Sequence, residues 1–251
     1  AYGRSGKPVL DLTLVQAAMP FACCCAVPIA AWNLVAFRDP RRVFFVQERV
    51  GLFGRPFRMI KFRTMSDVRS TDSQSWASGS DPTRVTRFGC LLRRTHLDEL
   101  PQLINILRGD MHVVGPRPEM PDVHLWACAQ VQGFAQRLAL RPGLTGLAQI
   151  TQGYTGASIA CYERRLAIDV DYIEKLSLRT DLGIVVRTVP WVLQGRGWSW
   201  DRGAMAIDPA IPASPESGPA MESAVDVDSM PAALPAVTSP RRHGYVDVDA
   251  A

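Results

Sequence analysis

The stretch from Val9 to Phe37 carries no charge after Asp11, and its last 26 residues read LTLVQAAMPFACCCAVPIAAWNLVAF. Nothing else in the chain limits the fold as strongly. About 20 apolar residues suffice to cross a bilayer core, where every backbone group must be satisfied within the helix or by protein. The flanks narrow the choice. Arg4 and Lys7 stand before the stretch, and Arg38, Arg41 and Arg42 stand after it, so both ends prefer the cytoplasm. A straight span cannot satisfy both. A re-entrant helix that breaks and returns to the same face can, with Pro20 and Pro28 as candidate hinge residues, because a proline removes one backbone hydrogen bond and clashes with the preceding turn. The alternative is a kinked single span with an extracytoplasmic N-terminus. A cleavable signal peptide fits poorly, since two prolines interrupt the run and no small-residue cleavage pattern closes it.

The remainder reads as a folded domain. Of 251 residues, 47% are hydrophobic and 21% charged, which supports one substantial core. The net charge of +4 hides a split: residues 205–251 hold seven acids and two bases, leaving 26 bases and 17 acids, a net of +9, on residues 1–204. A basic folded part suits phosphates, an anionic membrane surface or nucleic acid. Its arginines sit in Pro/Gly-punctuated loops beside acids, without an aromatic stacking pattern, which argues against nucleic acid. The six cysteines include the run Cys23-Cys24-Cys25 and no CxxC pair; they read as small hydrophobes in a reducing compartment. The four histidines show no zinc-ligand spacing, and no P-loop, dinucleotide glycine pattern, GxSxG or HExxH occurs.

Three segments follow: a membrane anchor over 1–42, a folded domain over 43–204, and a disordered Pro/Ala/Asp-rich tail over 205–251. In the second, VFFVQERVGLFGRPFRMIKFRTM sets apolar and aromatic residues on either side of Gly51–Gly54, predicting a β-hairpin over 43–47 and 57–62. Residues 66–87 read as a polar surface loop. Helices are predicted over about 121–139, 159–175 and 182–193. Trp191, Trp198 and Trp200 beside the last suggest a membrane–water interface, with a helix docked on the core as the alternative. The predicted fold is helix-rich α+β, with a proline-broken re-entrant membrane helix, a small β-hairpin and amphipathic interfacial helices.

The chemistry concentrates in THLDELPQLINILRGDM, residues 95–111. Leu100, Leu103, Ile104 and Leu107 recur at i, i+3, i+4 and i+7, predicting a helix with that face buried. Asp98 and Glu99 stand at its head, with Pro101 in the first turn. Thr95 to Asp98 fits a capping box, and acids in a first turn suit the helix dipole; that reading explains one acid better than two. Lys61, Arg63, Arg93, Arg94, Arg117 and Arg141 surround it in sequence, several on shaped loops, and arginines in fixed geometry clamp phosphates. Adjacent carboxylates add a nucleophile or base and an oxygen ligand for Mg²⁺. Neighbouring side chains on a helix diverge by about 100°, so the two acids need not share one task.

QERVG (47–51), KFRTM (61–65), DPTRVTRFGCLLRRTHLDELPQLINILRGDM (81–111), VGPRPE (114–119), RPGLTGLAQ (141–149) and DVDYIEKLSLRTDLGIVVRTV (169–189) occur in that order. With these blocks the chain resembles the bacterial sugar transferases, monotopic polyprenyl-phosphate phosphoglycosyl transferases, from about Lys7 to Leu193. The resemblance implies a membrane enzyme on the cytoplasmic face of the inner membrane that initiates exopolysaccharide or glycoconjugate synthesis. It would take a phosphosugar from a nucleotide-diphosphate sugar, a UDP-sugar in particular, through a covalent aspartyl-phosphosugar, release UMP, and pass the phosphosugar to undecaprenyl phosphate. By matching positions Asp98 is the nucleophile, Glu99 the Mg²⁺ ligand and Arg93 an active-site arginine. Lys61, Arg63, Arg117, Pro118, Arg141, Pro142 and Gly143 fall in motifs lining the donor site. A homodimer is compatible with this, and the alternative function is a non-catalytic membrane scaffold of polysaccharide assembly that retains the fold. The chain departs from the family pattern in four places. Val27-Pro28 stands where a Ser-Pro is frequent, DPRRVFF where a Gly-Pro often precedes the strand, Leu147 where Trp is common, and TQGY (151–154) for Asn-Gly-Arg.

Overall fold

The computed structural model describes residues 2–66, 84–153 and 158–195, apart from the Arg4 side chain. The tail over 205–251, most of the polar loop over 66–87, Tyr154, Trp198 and Trp200 lie outside the described residues. A π-helical turn, Tyr2–Gly6, leads into α1 (Lys7–Phe37), which stays helical through both Pro20 and Pro28. By length and composition α1 is the one described helix able to cross a membrane.

The burial of α1 is inside out. Towards the protein it turns Lys7, Asp11, Val15, Ala22, Ile29 and Asn33, a stripe spaced by fours and sevens in which three residues are polar. Val9, Phe21, Val27, Trp32 and Val35 face away, each more than half exposed. Every buried polar group on the stripe is engaged. Lys7 Nζ lies 2.7 Å from Asp181 and donates to the Tyr172 hydroxyl at 3.0 Å. Asp11 pairs with His112 and accepts from the Val113 N–H at 3.0 Å. Asn33 donates to the Val43 and Arg63 carbonyls at 3.1 and 3.0 Å. Both ends of α1 are therefore fastened to one folded unit, and its middle joins that unit's core through Val15 and Ala22 packed with Met59, Leu103, Ile106 and Met111.

β1 (Phe44–Val50) and β2 (Pro56–Phe62) form the predicted antiparallel hairpin, Gln47 opposite Met59, with the first strand running three residues further than expected. α2 (Arg87–Arg94) starts at Thr86, whose hydroxyl oxygen accepts from the Gly89 N–H at 2.9 Å. It lies so close to the segment after β2 that a Cβ on Gly89 would stand 2.1 Å from the Thr64 carbonyl oxygen. A 3₁₀ turn, Leu97–Glu99, precedes α3 (Gln102–Leu107). β3 (His112–Val114) and α4 (Pro121–Gln130) follow. The helix predicted over 121–139 is divided: α4 stops at Gln130, Gly133 takes φ 77°, and the chain resumes as a 3₁₀ segment, Phe134–Ala139. β4 (Gly143–Thr145), α5 (Leu147–Gln152), α6 (Ile159–Glu174) and α7 (Leu178–Leu193) complete the domain. α7 buries Asp181 and Ile184 and exposes Leu178, Leu182, Val186, Val189 and Leu193 along one stripe.

Two expectations about residues 95–107 need correction. The capping box does not form, because Thr95 closes α2 instead, its hydroxyl donating to the Leu91 and Leu92 carbonyls. Nor is the predicted apolar face the buried one. α3 buries Gln102, Leu103, Asn105 and Ile106, while Ile104 and Leu107 are 42% and 49% exposed. Asn105 outcompetes them because its amide completes backbone bonding in β2. Its oxygen accepts from the Ile60 N–H at 3.1 Å and its nitrogen donates to the Arg58 carbonyl at 2.8 Å. A buried polar group so satisfied fixes the rotation of the helix.

The parallel pair of β3 and β4 was not foreseen, since three-residue strands inside Gly/Pro loops show no period. His112 lies opposite Gly143 and Val114 opposite Thr145. The two backbones touch: a Cβ on Gly143 would stand 2.1 Å from the Gly115 nitrogen, and one on Gly146 2.2 Å from the Gly115 oxygen.

Candidate active site

Four elements converge on the two acids. The 3₁₀ turn carries Asp98 and Glu99, which are 8% and 9% exposed. It is entered through His96, a non-glycine at φ 54°; the left-handed conformation costs on the order of 1 kcal/mol and reverses the chain between α2 and the turn. The His96 ring lies 5.3 Å from that of Trp191 near the end of α7. β2 supplies Lys61, whose ammonium lies 2.6 Å from the Glu99 carboxylate. The loop after β3 supplies Arg117, 3.8 Å from the same carboxylate oxygen. α2 supplies Arg93, whose charge acts on Asp98 and whose Nε donates to the Thr64 hydroxyl at 2.8 Å.

These surroundings drive two similar carboxylates apart. Burial raises Asp98 from 3.8 to about 6, and the Glu99 charge adds to the rise; Lys61, Arg93 and His96 offset only part of it. Burial would raise Glu99 too, but Lys61 and Arg117 outweigh it and hold that carboxyl at about 2. Glu99 is thus a fixed anion bonded to cations, whereas Asp98 is a less stabilised carboxylate that is ionised at neutral pH. Adjacent titrating groups separated in this way divide the work of a site between them.

The loop bearing Arg117 is held by residues that the sequence reading passed over. Arg137, almost fully buried, donates to the Arg117 carbonyl at 2.8 Å and pairs with Asp169 at 2.8 Å and Glu119 at 3.5 Å. Arg165 pairs with Glu119 at 2.6 Å. Arg49 donates to the Pro118 carbonyl at 3.2 Å, and the Val50 N–H to the Glu119 carbonyl at 2.9 Å. Arg165 and Asp169 stand four apart on α6, on its protein-facing side; charged residues at that spacing on an inward face were the available signal.

The predicted residues therefore fall into two groups. Lys61, Arg93, Asp98, Glu99 and Arg117 come together, with Pro118 in the same loop. Arg63 is set over the Phe37 ring, 5.9 Å from its centre. Pro142 and Gly143 serve the β3–β4 contact through their backbones, the Pro142 carbonyl accepting from the His112 N–H at 2.8 Å and the Gly143 N–H donating to the Pro116 carbonyl at 2.9 Å. Arg141 acts electrostatically on His112. Burial holds the pKa of that imidazole below its ordinary value, with Lys7 and Arg141 adding to the drop against the opposing pull of Asp11.

Among the described residues no group of three or more His, Cys, Asp or Glu side chains could hold a metal ion. Two hard carboxylates one residue apart do fit Mg²⁺ when a diphosphate ligand supplies further oxygens, the usual manner of binding for that ion.

Residues 2–195 match the family described as bacterial sugar transferase. The chain is 42% identical over 189 residues to the UDP-glucose:undecaprenyl-phosphate glucose-1-phosphate transferase of Caulobacter vibrioides, covering 74% of this chain and 69% of that one. It is 39% identical over 193 residues to the uncharacterized sugar transferase EpsL of Bacillus subtilis, covering 76% and 89%. It is 37% identical over 171 residues to the UDP-N-acetylgalactosamine-undecaprenyl-phosphate N-acetylgalactosaminephosphotransferase of Aeromonas hydrophila, covering 67% and 40%.

Proposed function

The chain belongs to the bacterial sugar transferase family, and from that premise we propose that it transfers a sugar phosphate from a UDP-sugar to undecaprenyl phosphate. Relatives named for glucose and for N-acetylgalactosamine resemble it to similar degrees, so the donor is assigned as the UDP-sugar class. The observation that carries it is the pair Asp98–Glu99, buried together among Lys61, Arg93 and Arg117 and driven to opposite ends of the carboxylate range.

In this reading an Asp98 oxygen bonds to the sugar-side phosphorus as the bond from that phosphorus to the UMP oxygen breaks. An undecaprenyl phosphate oxygen then displaces Asp98 from the same phosphorus, giving the lipid diphosphate sugar and restoring the carboxylate. Lys61, Arg93 and Arg117 neutralise the diphosphate so that an anion can approach it. Arg137 and Arg165 keep the Arg117 loop in place. Mg²⁺, held by Glu99 with Asp98 alongside, would neutralise phosphate charge on the departing UMP.

The acceptor's lipid tail requires a site at the bilayer, and the outward apolar surface of α1 supports one. Because both ends of α1 are tied to the same unit, the reading is an anchor that enters and leaves on one face, the cytoplasmic face of the inner membrane, without the break in the helix expected at Pro20 or Pro28. The exposed stripe of α7 then lies along the interface, a geometry suited to an amphipathic helix.

The test is UMP release by detergent-purified protein given Mg²⁺, undecaprenyl phosphate and a panel of UDP-sugars. The expected result is release from at least one donor, reduced by about a thousandfold or more in Asp98→Asn. A labelled phosphosugar should also be trapped on the parent when the lipid is withheld. Direct attack by the lipid phosphate gives release without an adduct. A non-catalytic scaffold gives none.

A further inference from the structure

α3 and β2 pass each other in opposite directions. Asn105 fastens Arg58 and Ile60 of β2, while Glu99, six residues earlier, fastens Lys61. Gln102 stands midway between these two fastenings, three residues after Glu99 and four after Asp98, a spacing that brings side chains to one face of a helical segment. It is 3% exposed. Its amide nitrogen is shut off from solvent and has no hydrogen-bond partner among the described residues, whereas Asn105 on the next turn uses both ends of its amide. A buried N–H without an acceptor is costly, and folded chains seldom keep one without a use. For packing alone, a methionine of similar length would serve this position better.

We propose that Gln102 is a donor-binding residue, its amide N–H donating to a non-bridging oxygen of the nucleotide diphosphate that Lys61 and Arg117 attract. This rests on the donor reading given above. The Gln102 N–H has no acceptor among the described residues, and an anion drawn to Lys61 and Arg117 is a ligand that supplies one. A neutral donor also adds a directed hydrogen bond to the anion without adding another positive charge beside Asp98.

The experiment compares full-length parent, Gln102→Met and Gln102→Glu in detergent, by thermal unfolding with and without UDP and by steady-state kinetics. Without nucleotide, Gln102→Met should unfold at the parent's temperature or a few degrees above it, because the orphaned N–H is gone. It should need about tenfold more UDP for the same upward shift, consistent with loss of one hydrogen bond to a charged group. The KM for UDP-sugar should rise by a similar factor, while the KM for undecaprenyl phosphate stays put. Gln102→Glu, equal in shape but with an acceptor facing phosphate, should lose the UDP shift. A Gln102→Met protein that is strongly destabilised, or one that UDP protects as well as the parent, overturns the inference. A parent that UDP does not protect overturns the donor reading itself, and this inference with it.

Discussion

Ionised Asp98 sits in a folded environment that prefers it protonated, with consequences for both rate and stability. Its carboxyl titrates at about 6 in the native state against 3.8 ordinarily. Between those values the native state holds the extra proton, so its contribution to stability declines as pH rises from about 4 to 6 and is flat above. Glu99 runs the other way: at about 2 rather than 4.5, it contributes stability above pH 4.5 that is lost as pH falls towards 2. Asp98→Asn removes the strained charge and should raise neutral-pH stability, by on the order of 2 kcal/mol, in the same protein that has lost turnover. Urea unfolding at pH 7.5 measures this. UMP release should fall about tenfold per unit below pH 6, as Asp98 protonates, and a profile flat to pH 5 would remove Asp98 as nucleophile. The sequence made this pair legible as two acids among bases. Which acid would be the fixed anion was not, because that depends on Lys61, 38 residues upstream, reaching Glu99 and not Asp98.

Among the elements, the hairpin, α6 and α7 were readable because each repeats its period over several turns or alternations. α3 was misread because its inward face is chosen by Asn105, whose partners are backbone groups of a different element; hydrophobic spacing records no such demand. β3 and β4 were missed for want of length. Their pairing yields its own prediction. Gly143→Ala places a methyl 2.1 Å from a backbone nitrogen, where no side chain can yield, and should cost about 3 kcal/mol or more by urea unfolding. The ion pair between α1 and α7 yields another. With Lys7 and Asp181 fully buried, Lys7→Met leaves a buried charge without its counter-ion and should cost about 3–5 kcal/mol. The double change Lys7→Met with Asp181→Leu should recover most of that loss, and a double variant no better than the single one would show that the pair is not the source.

For the whole molecule, the apolar stretch and its basic flanks announced a membrane segment, but Lys7, Asp11 and Asn33 turned out to be among the protein contacts of α1. Cysteines placed at Ser5 and Arg41, in a background without the six native cysteines, should label from the same side of sealed inverted vesicles; opposite-side labelling would establish a straight span. The inside-out face of α1 also bears on modularity. An ordinary tether can be exchanged for any hydrophobic helix of adequate length, but this one cannot, since His112, Asp181 and the Val43 and Arg63 carbonyls each take a partner from it. A chimera with a foreign anchor would keep its domain intact only if the graft carried Lys, Asp and Asn at the spacing of positions 7, 11 and 33. Cutting α1 away would expose sockets rather than a finished surface, so the helix and the segments that receive its Lys, Asp and Asn are constrained to change together.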